Sequence, residues 1–130
     1  MAYCKVQQAE IFHEDIGEGT PIIMIHGFSP DHRLMSGCME PIFKNSTGWR
    51  RIYLDLPGMG QSRNHAEITS SDGMLNAVVE FIQTIIPDQQ YVVVGESYGG
   101  YIARGIIHNQ KQQILGAAFI CPVIKPLAKD

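Results

Sequence analysis

Tyr91-Val92-Val93-Val94-Gly95-Glu96-Ser97-Tyr98-Gly99-Gly100-Tyr101 is the stretch on which the reading of this chain turns. A continuous apolar run stops at Gly95, a serine follows two residues later, and Gly99 leads into a segment with helical periodicity. The pattern is G-x-S-x-G set between a strand and a helix, a setting that makes the motif informative; the alternative is a plain glycine-rich loop in another α/β fold. A sharp strand-to-helix turn of this kind holds its serine in a strained backbone conformation and presents the hydroxyl as a nucleophile. It also brings the residues two before and two after the serine close together, so both must be small. Gly95 and Gly99 meet that need, and Gly100 allows the helix to pack close to the sheet.

Outward from this stretch, the bulk composition bounds the rest. A chain of 130 residues makes one domain at most, and it can bury roughly two-thirds of its unfolded surface. Apolar residues make up 45% and charged residues 18%, an ordinary globular balance. A net charge of −3, with no basic run, gives no support for nucleic acid or an anionic membrane as partner. No apolar run is long enough to span a bilayer, and the N-terminal residues lack the apolar core of a signal peptide. Cys4, Cys38 and Cys121 are odd in number and irregular in spacing, which is neither a disulfide framework nor a zinc pattern. The expectation is a reduced, cytoplasmic protein with no cofactor and no metal.

Taken in order, Tyr3 to Val6 and Ala9 to His13 alternate in part and predict two opening antiparallel strands. Ile22-Ile23-Met24-Ile25 is apolar throughout, as a strand inside a helix-covered parallel sheet requires. It ends in His26-Gly27-Phe28, where Gly27 permits a tight bend. A helix is expected from His32 or Arg33 to Lys44, with Asp31 as N-cap and a break or kink near Met39 or Glu40 caused by Pro41. Arg50 to Leu54 reads as the next strand, emptying into the turn-rich loop Asp55 to Ser62. Ser70-Ser71-Asp72 offers helix caps, and Met74, Leu75, Val78, Phe81, Ile82 and Ile85 form a 3.6-residue stripe that Pro87 ends. The helix after Ser97 runs to about Asn109 with Ile102, Ile106 and Ile107 inward. Ile114 to Ile120 is a further apolar strand, closed by Cys121-Pro122. The fold class is α/β, a mostly parallel sheet flanked by helices.

Three stretches now coincide in order and spacing: His26-Gly27-Phe28, Asp55-Leu56-Pro57-Gly58-Met59-Gly60-Gln61-Ser62 and Gly95-Glu96-Ser97-Tyr98-Gly99-Gly100. Together they resemble the α/β-hydrolase fold superfamily, in its esterase, lipase and C–C hydrolase branch, from about residue 2 to 122. The resemblance implies that residues 1–130 are the N-terminal portion of a single α/β-hydrolase domain, a partial fold without the C-terminal strands and cap. It implies that Ser97 is the catalytic nucleophile and that the backbone N–H groups of Phe28 and Tyr98 form the oxyanion hole. His26, Gly27, Gly95, Gly99 and Gly100 would support the turn and its facing loop. Tyr98 opens a helix, whose N-terminal amides and dipole favour an oxyanion. The loop from Asp55 to Ser62 matches one that is structural in the family.

A serine hydroxyl is a poor nucleophile until a base takes its proton. The family's triad order is serine, then an acid, then histidine. Both partners are therefore expected downstream of Ser97. His108 is the one histidine there, and a helix carries it about 15 Å away along its axis. His26 precedes the serine and stands at a structural position of the family. His13, His32 and His65 are expected on the surface or in loops. Asp130 is a remote candidate acid. The chain thus reads as an N-terminal half whose acid and histidine are absent, and Ile114 to Ile120 would form an exposed apolar edge. Self-association, or a partner supplying the C-terminal half, is the expected consequence.

Cys4 and Cys38 are expected as packing residues and Cys121 as a core residue at a strand end. Glu96 either lines a pocket or bonds a neighbouring backbone. His32 and Arg33 form a solvated helix start or touch a substrate. Two functions follow. The first is a hydrolase acting on a small-molecule ester, thioester or similar carbonyl substrate through a Ser97 acyl-enzyme. The second is a non-catalytic half-domain that binds a ligand or a partner chain through the open sheet edge.

Overall fold

A hairpin opens the chain: β1 (Ala2–Val6) and β2 (Ala9–Ile16) pair antiparallel, with Tyr3 opposite Phe12. The computed structural model describes residues 2–123. β3 (Thr20–Ile25), α1 (His32–Phe43), β4 (Trp49–Leu54), α2 (Ser71–Ile85), β5 (Tyr91–Glu96), α3 (Tyr98–Asn109) and β6 (Ile114–Ile120) follow, with a short 3-10 turn at Lys111–Gln113 before β6. The six strands form one sheet in the order β1-β2-β4-β3-β5-β6. β3 pairs parallel with both β4 and β5, and β5 pairs parallel with β6; β2 joins β4 antiparallel. A mixed sheet with three flanking helices is the α/β arrangement expected of a partial α/β-hydrolase fold.

Side-chain alternation along β3 builds the core on both faces of the sheet. Ile22 and Met24 join Met35, Tyr53 and Val94 on the α1 side. Ile23 and Ile25 join Val78, Phe81, Val93, Ile102 and Ile106 on the α2 and α3 side. This explains why β3 and β5 are apolar at nearly every position: each is buried on two faces.

The helix caps lie where the sequence puts them. The Asp31 carboxylate accepts from the Arg33 N–H, and the Ser70 hydroxyl accepts from the Gly73 N–H. Of the expected break or kink at Pro41, the break does not occur. The helix runs on to Phe43, because Pro41 stands in its last turn and removes only one hydrogen bond close to the end.

Two further expectations are corrected. His13 and His32 are buried rather than on the surface, at 7% and 5% exposure. His13 faces the core from β2, where its ring meets Phe81 edge-on. His32 is tied under the loop that follows β4. Among the cysteines only Cys4 is buried; Cys38 and Cys121 are exposed. Cys38 lies off the inward stripe of α1, which is His32, Met35, Met39 and Phe43. Cys121 follows β6, whose outer side carries no neighbour among the described residues. On that strand Leu115, Phe119 and Ile120 are 52%, 40% and 39% exposed. No helix among the described residues is long and apolar enough to cross a membrane.

Candidate active site

β5 ends at Glu96 and α3 begins at Tyr98, so Ser97 alone makes the turn between them, with φ 53° and ψ −117°. A positive φ is costly for a residue with a Cβ, and it persists only where its surroundings hold it. Here the Ser97 N–H donates to the Ile120 carbonyl at 2.9 Å, and the Ser97 carbonyl accepts from Val123 and Gly100 at 3.0 and 2.9 Å. The end of β6 therefore clamps the turn from one side.

Glycines clear the space around it. A Cβ on Gly95 would lie 2.4 Å from the Gly99 carbonyl oxygen, and one on Gly99 would lie 2.3 Å from that of Ile25. Gly100 makes room for Pro122, at 2.8 Å, more than for the sheet itself. Gly27 differs from the reading above. Its φ is not among the positive ones, and what demands glycine there is crowding: a Cβ would lie 2.6 Å from Glu96 Oε1 and 3.1 Å from the Ser97 Cβ. The loop after β3 is thus brought directly against the serine.

Phe28 and Tyr98 also come together. Their rings meet at right angles, 6.1 Å between centroids, although the Phe28 side chain is 72% exposed. Tyr98 stacks on Tyr101, and its hydroxyl pairs with that of Ser71 at the start of α2, 2.8 Å away. The first turn of α3 is anchored by these contacts.

The histidines divide clearly. His26 is fully buried, with Nδ1 bonded to the Gly27 carbonyl at 2.6 Å and Nε2 accepting from the Leu56 N–H at 2.9 Å. Both ring nitrogens are occupied, and burial pushes the pKa of the ring below its ordinary value. His26 thus joins the loop after β3 to the loop after β4 and holds no spare nitrogen for a substrate. His32 Nδ1 and the His32 N–H both bond Asp55 Oδ1, at 2.8 and 2.7 Å. The other nitrogen of His32 faces Glu14 of β2, 3.9 Å away, and β2 is three places from β5 in the sheet. This Asp–His pair is directed away from Ser97. His65 is exposed beside Gly58, and His108 is exposed in the last turn of α3. Among the described residues no histidine or carboxylate bonds the Ser97 hydroxyl. Asp130 lies outside the described residues.

Asp31, His32 and Asp55 bring ligand-type atoms within 4.8 Å of one another, a clustering that sequence spacing did not suggest. Protein partners already occupy them. Asp55 also accepts from the Gln61 N–H at 2.9 Å, and Asp31 pairs with Arg33 at 2.8 Å, which lowers its carboxyl to about 2. The Asp55 carbonyl accepts from the Ser62 hydroxyl at 2.6 Å, and the Ser62 Oγ in turn accepts from the Phe12 N–H. The set is the fastening of the Asp55–Ser62 loop. A groove between α2 and α3, lined by Leu75, Tyr101, Arg104, Gly105 and His108 among others, does not include Ser97.

The family model for the alpha/beta hydrolase fold matches residues 20–129. The chain belongs to that family. The AB hydrolase superfamily protein YisY of Bacillus subtilis is 36% identical over 102 residues, covering 78% of this chain and 37% of the relative. The pimeloyl-[acyl-carrier protein] methyl ester esterase of Shewanella woodyi is 28% identical over 107 residues, 82% of this chain and 38% of that one. An alpha/beta superfamily hydrolase from Oenococcus oeni PSU-1 superposes with a TM-score of 0.80 at 40% identity, over 96% of this chain and 46% of that one. The chain therefore spans less than half the length of each, and the described part of this α/β hydrolase corresponds to the N-terminal part of the fold.

Proposed function

We propose that the chain carries the nucleophile and oxyanion hole of a serine hydrolase acting on esters, thioesters or similar carbonyl compounds. The observation that carries this reading is the Ser97 turn. A serine is held at φ 53° between a buried strand and a helix N-terminus, with the Gly27–Phe28 loop packed against its Cβ. Ser97 Oγ attacks the substrate carbonyl carbon as a base takes the hydroxyl proton. The resulting oxyanion is met by the Phe28 and Tyr98 N–H groups, each worth about 2.7–4 kcal/mol in the transition state. Collapse expels the alcohol or thiol, which takes up the proton, and water then hydrolyses the acyl-enzyme. The base and its acid come from polypeptide other than residues 2–123, in the same chain or supplied by a partner. Similarity to an esterase supports an ester over an amide as substrate.

Hydrolysis of p-nitrophenyl acetate and butyrate, with Ser97→Ala alongside, tests this. Activity that disappears in the variant supports a serine enzyme whose base reaches Ser97. Equal background rates in both proteins would reject catalysis by this chain alone. They would favour the second reading, a half-domain that binds another polypeptide through β6, for which the exposed Leu115, Phe119 and Ile120 speak.

A further inference from the structure

β3 and β5 run parallel up to the pair Ile25–Gly95; beyond it β3 gives way to the loop after it, and β5 turns through Ser97 into α3. The candidate donors are Phe28 on the loop after β3 and Tyr98, the first residue of α3. One hydrogen bond continues the tie past the end of the ladder: the Gly27 N–H donates to Glu96 Oε1 at 2.8 Å. The two residues are 69 apart in sequence, and Glu96 is half-buried at the point where β5 enters the serine turn. The same oxygen occupies the space that a Gly27 Cβ would need, and the Ser97 Cβ would lie 3.1 Å from such a Cβ. Glycine at 27 and glutamate at 96 are therefore matched: the missing side chain of one admits the carboxylate of the other.

We propose that Glu96 is a positioning residue that sets the Phe28 amide against Ser97. This rests on the serine-hydrolase reading. The carboxylate accepts the N–H of the His26–Gly27 peptide, the one before the peptide that carries the Phe28 N–H, while His26 Nδ1 holds the Gly27 carbonyl of that second peptide; the two bonds together set where the Phe28 N–H projects. A negative group near a developing oxyanion is electrostatically unfavourable, so its use here is geometric. An amide oxygen would accept the same bond without the charge. A misplacement of about 1 Å in such a donor is enough to cost on the order of 100-fold in rate.

The test compares Glu96→Gln, Glu96→Asp and Glu96→Ala in the purified chain, by amide exchange at Gly27 and by p-nitrophenyl ester kinetics. Glu96→Gln keeps the acceptor, so Gly27 should stay protected and kcat should stay within about threefold of wild type. Glu96→Ala removes the acceptor and Glu96→Asp withdraws it by one methylene. Both should release the Gly27 amide and lower kcat by about 10- to 100-fold, with KM changed less than about threefold. If Glu96→Ala fails to fold, the Gln and Asp pair still separates geometry from charge. Gly27 exchange that is unaltered in Glu96→Asp, or a Gln variant as impaired as the Asp one, would overturn the proposal. A wild-type chain with no hydrolysis would reject catalysis by this chain alone instead, and Gly27 exchange would still decide whether Glu96 holds the loop.

Discussion

The Leu56 N–H donates to Nε2 of His26 at 2.9 Å, and that one bond assigns the state of the ring. Nε2 must be the unprotonated nitrogen, so Nδ1 carries the hydrogen and donates to the Gly27 carbonyl at 2.6 Å. A second proton would set Nε2–H against an amide N–H in a fully buried site. His13 is in similar difficulty: it is buried, and its Nδ1 has no partner. Burial lowers both pKa values below the ordinary 6.5.

A pH dependence of stability follows with a definite sign. The unfolded chain takes up these protons first, so stability is complete above about pH 6.5 and falls as the pH drops toward the two lower folded-state values. Asp31, held to about 2 by Arg33, adds a further loss only below its ordinary value of 3.8. The urea midpoint should therefore be lower at pH 5.5 than at pH 7.5. His13→Phe, set beside Phe81, should shrink that difference, and a midpoint independent of pH between these values would contradict the assignment.

Crowding around the serine turn predicts large and unequal costs for adding one methyl group. Gly95→Ala and Gly99→Ala drive a Cβ into backbone, 2.4 and 2.3 Å from carbonyl oxygens that have no room to move. Each should cost about 1–3 kcal/mol or more. Gly116→Ala on β6 meets nothing within 4 Å, and should be neutral or gain up to about 1 kcal/mol from reduced chain entropy. Thermal unfolding of the three variants side by side checks the order.

Strain at Ser97 is separable from its chemistry. Alanine removes the hydroxyl but retains the Cβ that makes φ 53° costly, whereas glycine removes both. Ser97→Gly should be more stable than Ser97→Ala by about 1 kcal/mol, the relief of strain less the entropy cost of glycine. Denaturant midpoints of the two variants measure this, and equal values would show that the turn is unstrained.

The β6 edge predicts association. Leu115, Phe119 and Ile120 stand exposed along a strand whose outer hydrogen-bonding groups face no neighbour among the described residues. Such an edge pairs readily with another chain. Sedimentation should show concentration-dependent oligomers, and Leu115→Lys with Phe119→Lys should shift them toward monomer. A wild-type chain that stays monomeric over the whole range would remove the case for β6 as an interface.

Much of the fold was legible because its signals are local. The stripe along α2, the capping residues Asp31 and Ser70, and the unbroken apolar runs of β3 and β5 each report on their own few neighbours. Each element forms within a few residues of the expected ends. Gly95 and Gly99 were legible for the same reason, since a turn that folds the chain back within five residues needs little knowledge of the rest. The burial of His13 and His32 is not legible in the sequence, because histidine carries no fixed preference for core or surface. Their burial depends on Phe81 of α2 meeting the His13 ring and on Asp55 receiving the His32 ring. Glu96 carries two readings in the sequence because its partner lies 69 residues away.

The sequence by itself determined the order of strands and helices, the family resemblance and the position of the serine turn, since periodicity and glycine spacing are properties of short segments. Tertiary structure alone decided what those segments do to one another. It packed the Gly27–Phe28 loop against Ser97 through crowding rather than a bend, gave both nitrogens of His26 to backbone, and turned the Asp55–His32 pair toward β2. The physical reason is that burial and hydrogen-bond satisfaction are set by which surfaces the sheet brings together, and that pairing is settled only when the chain closes on itself.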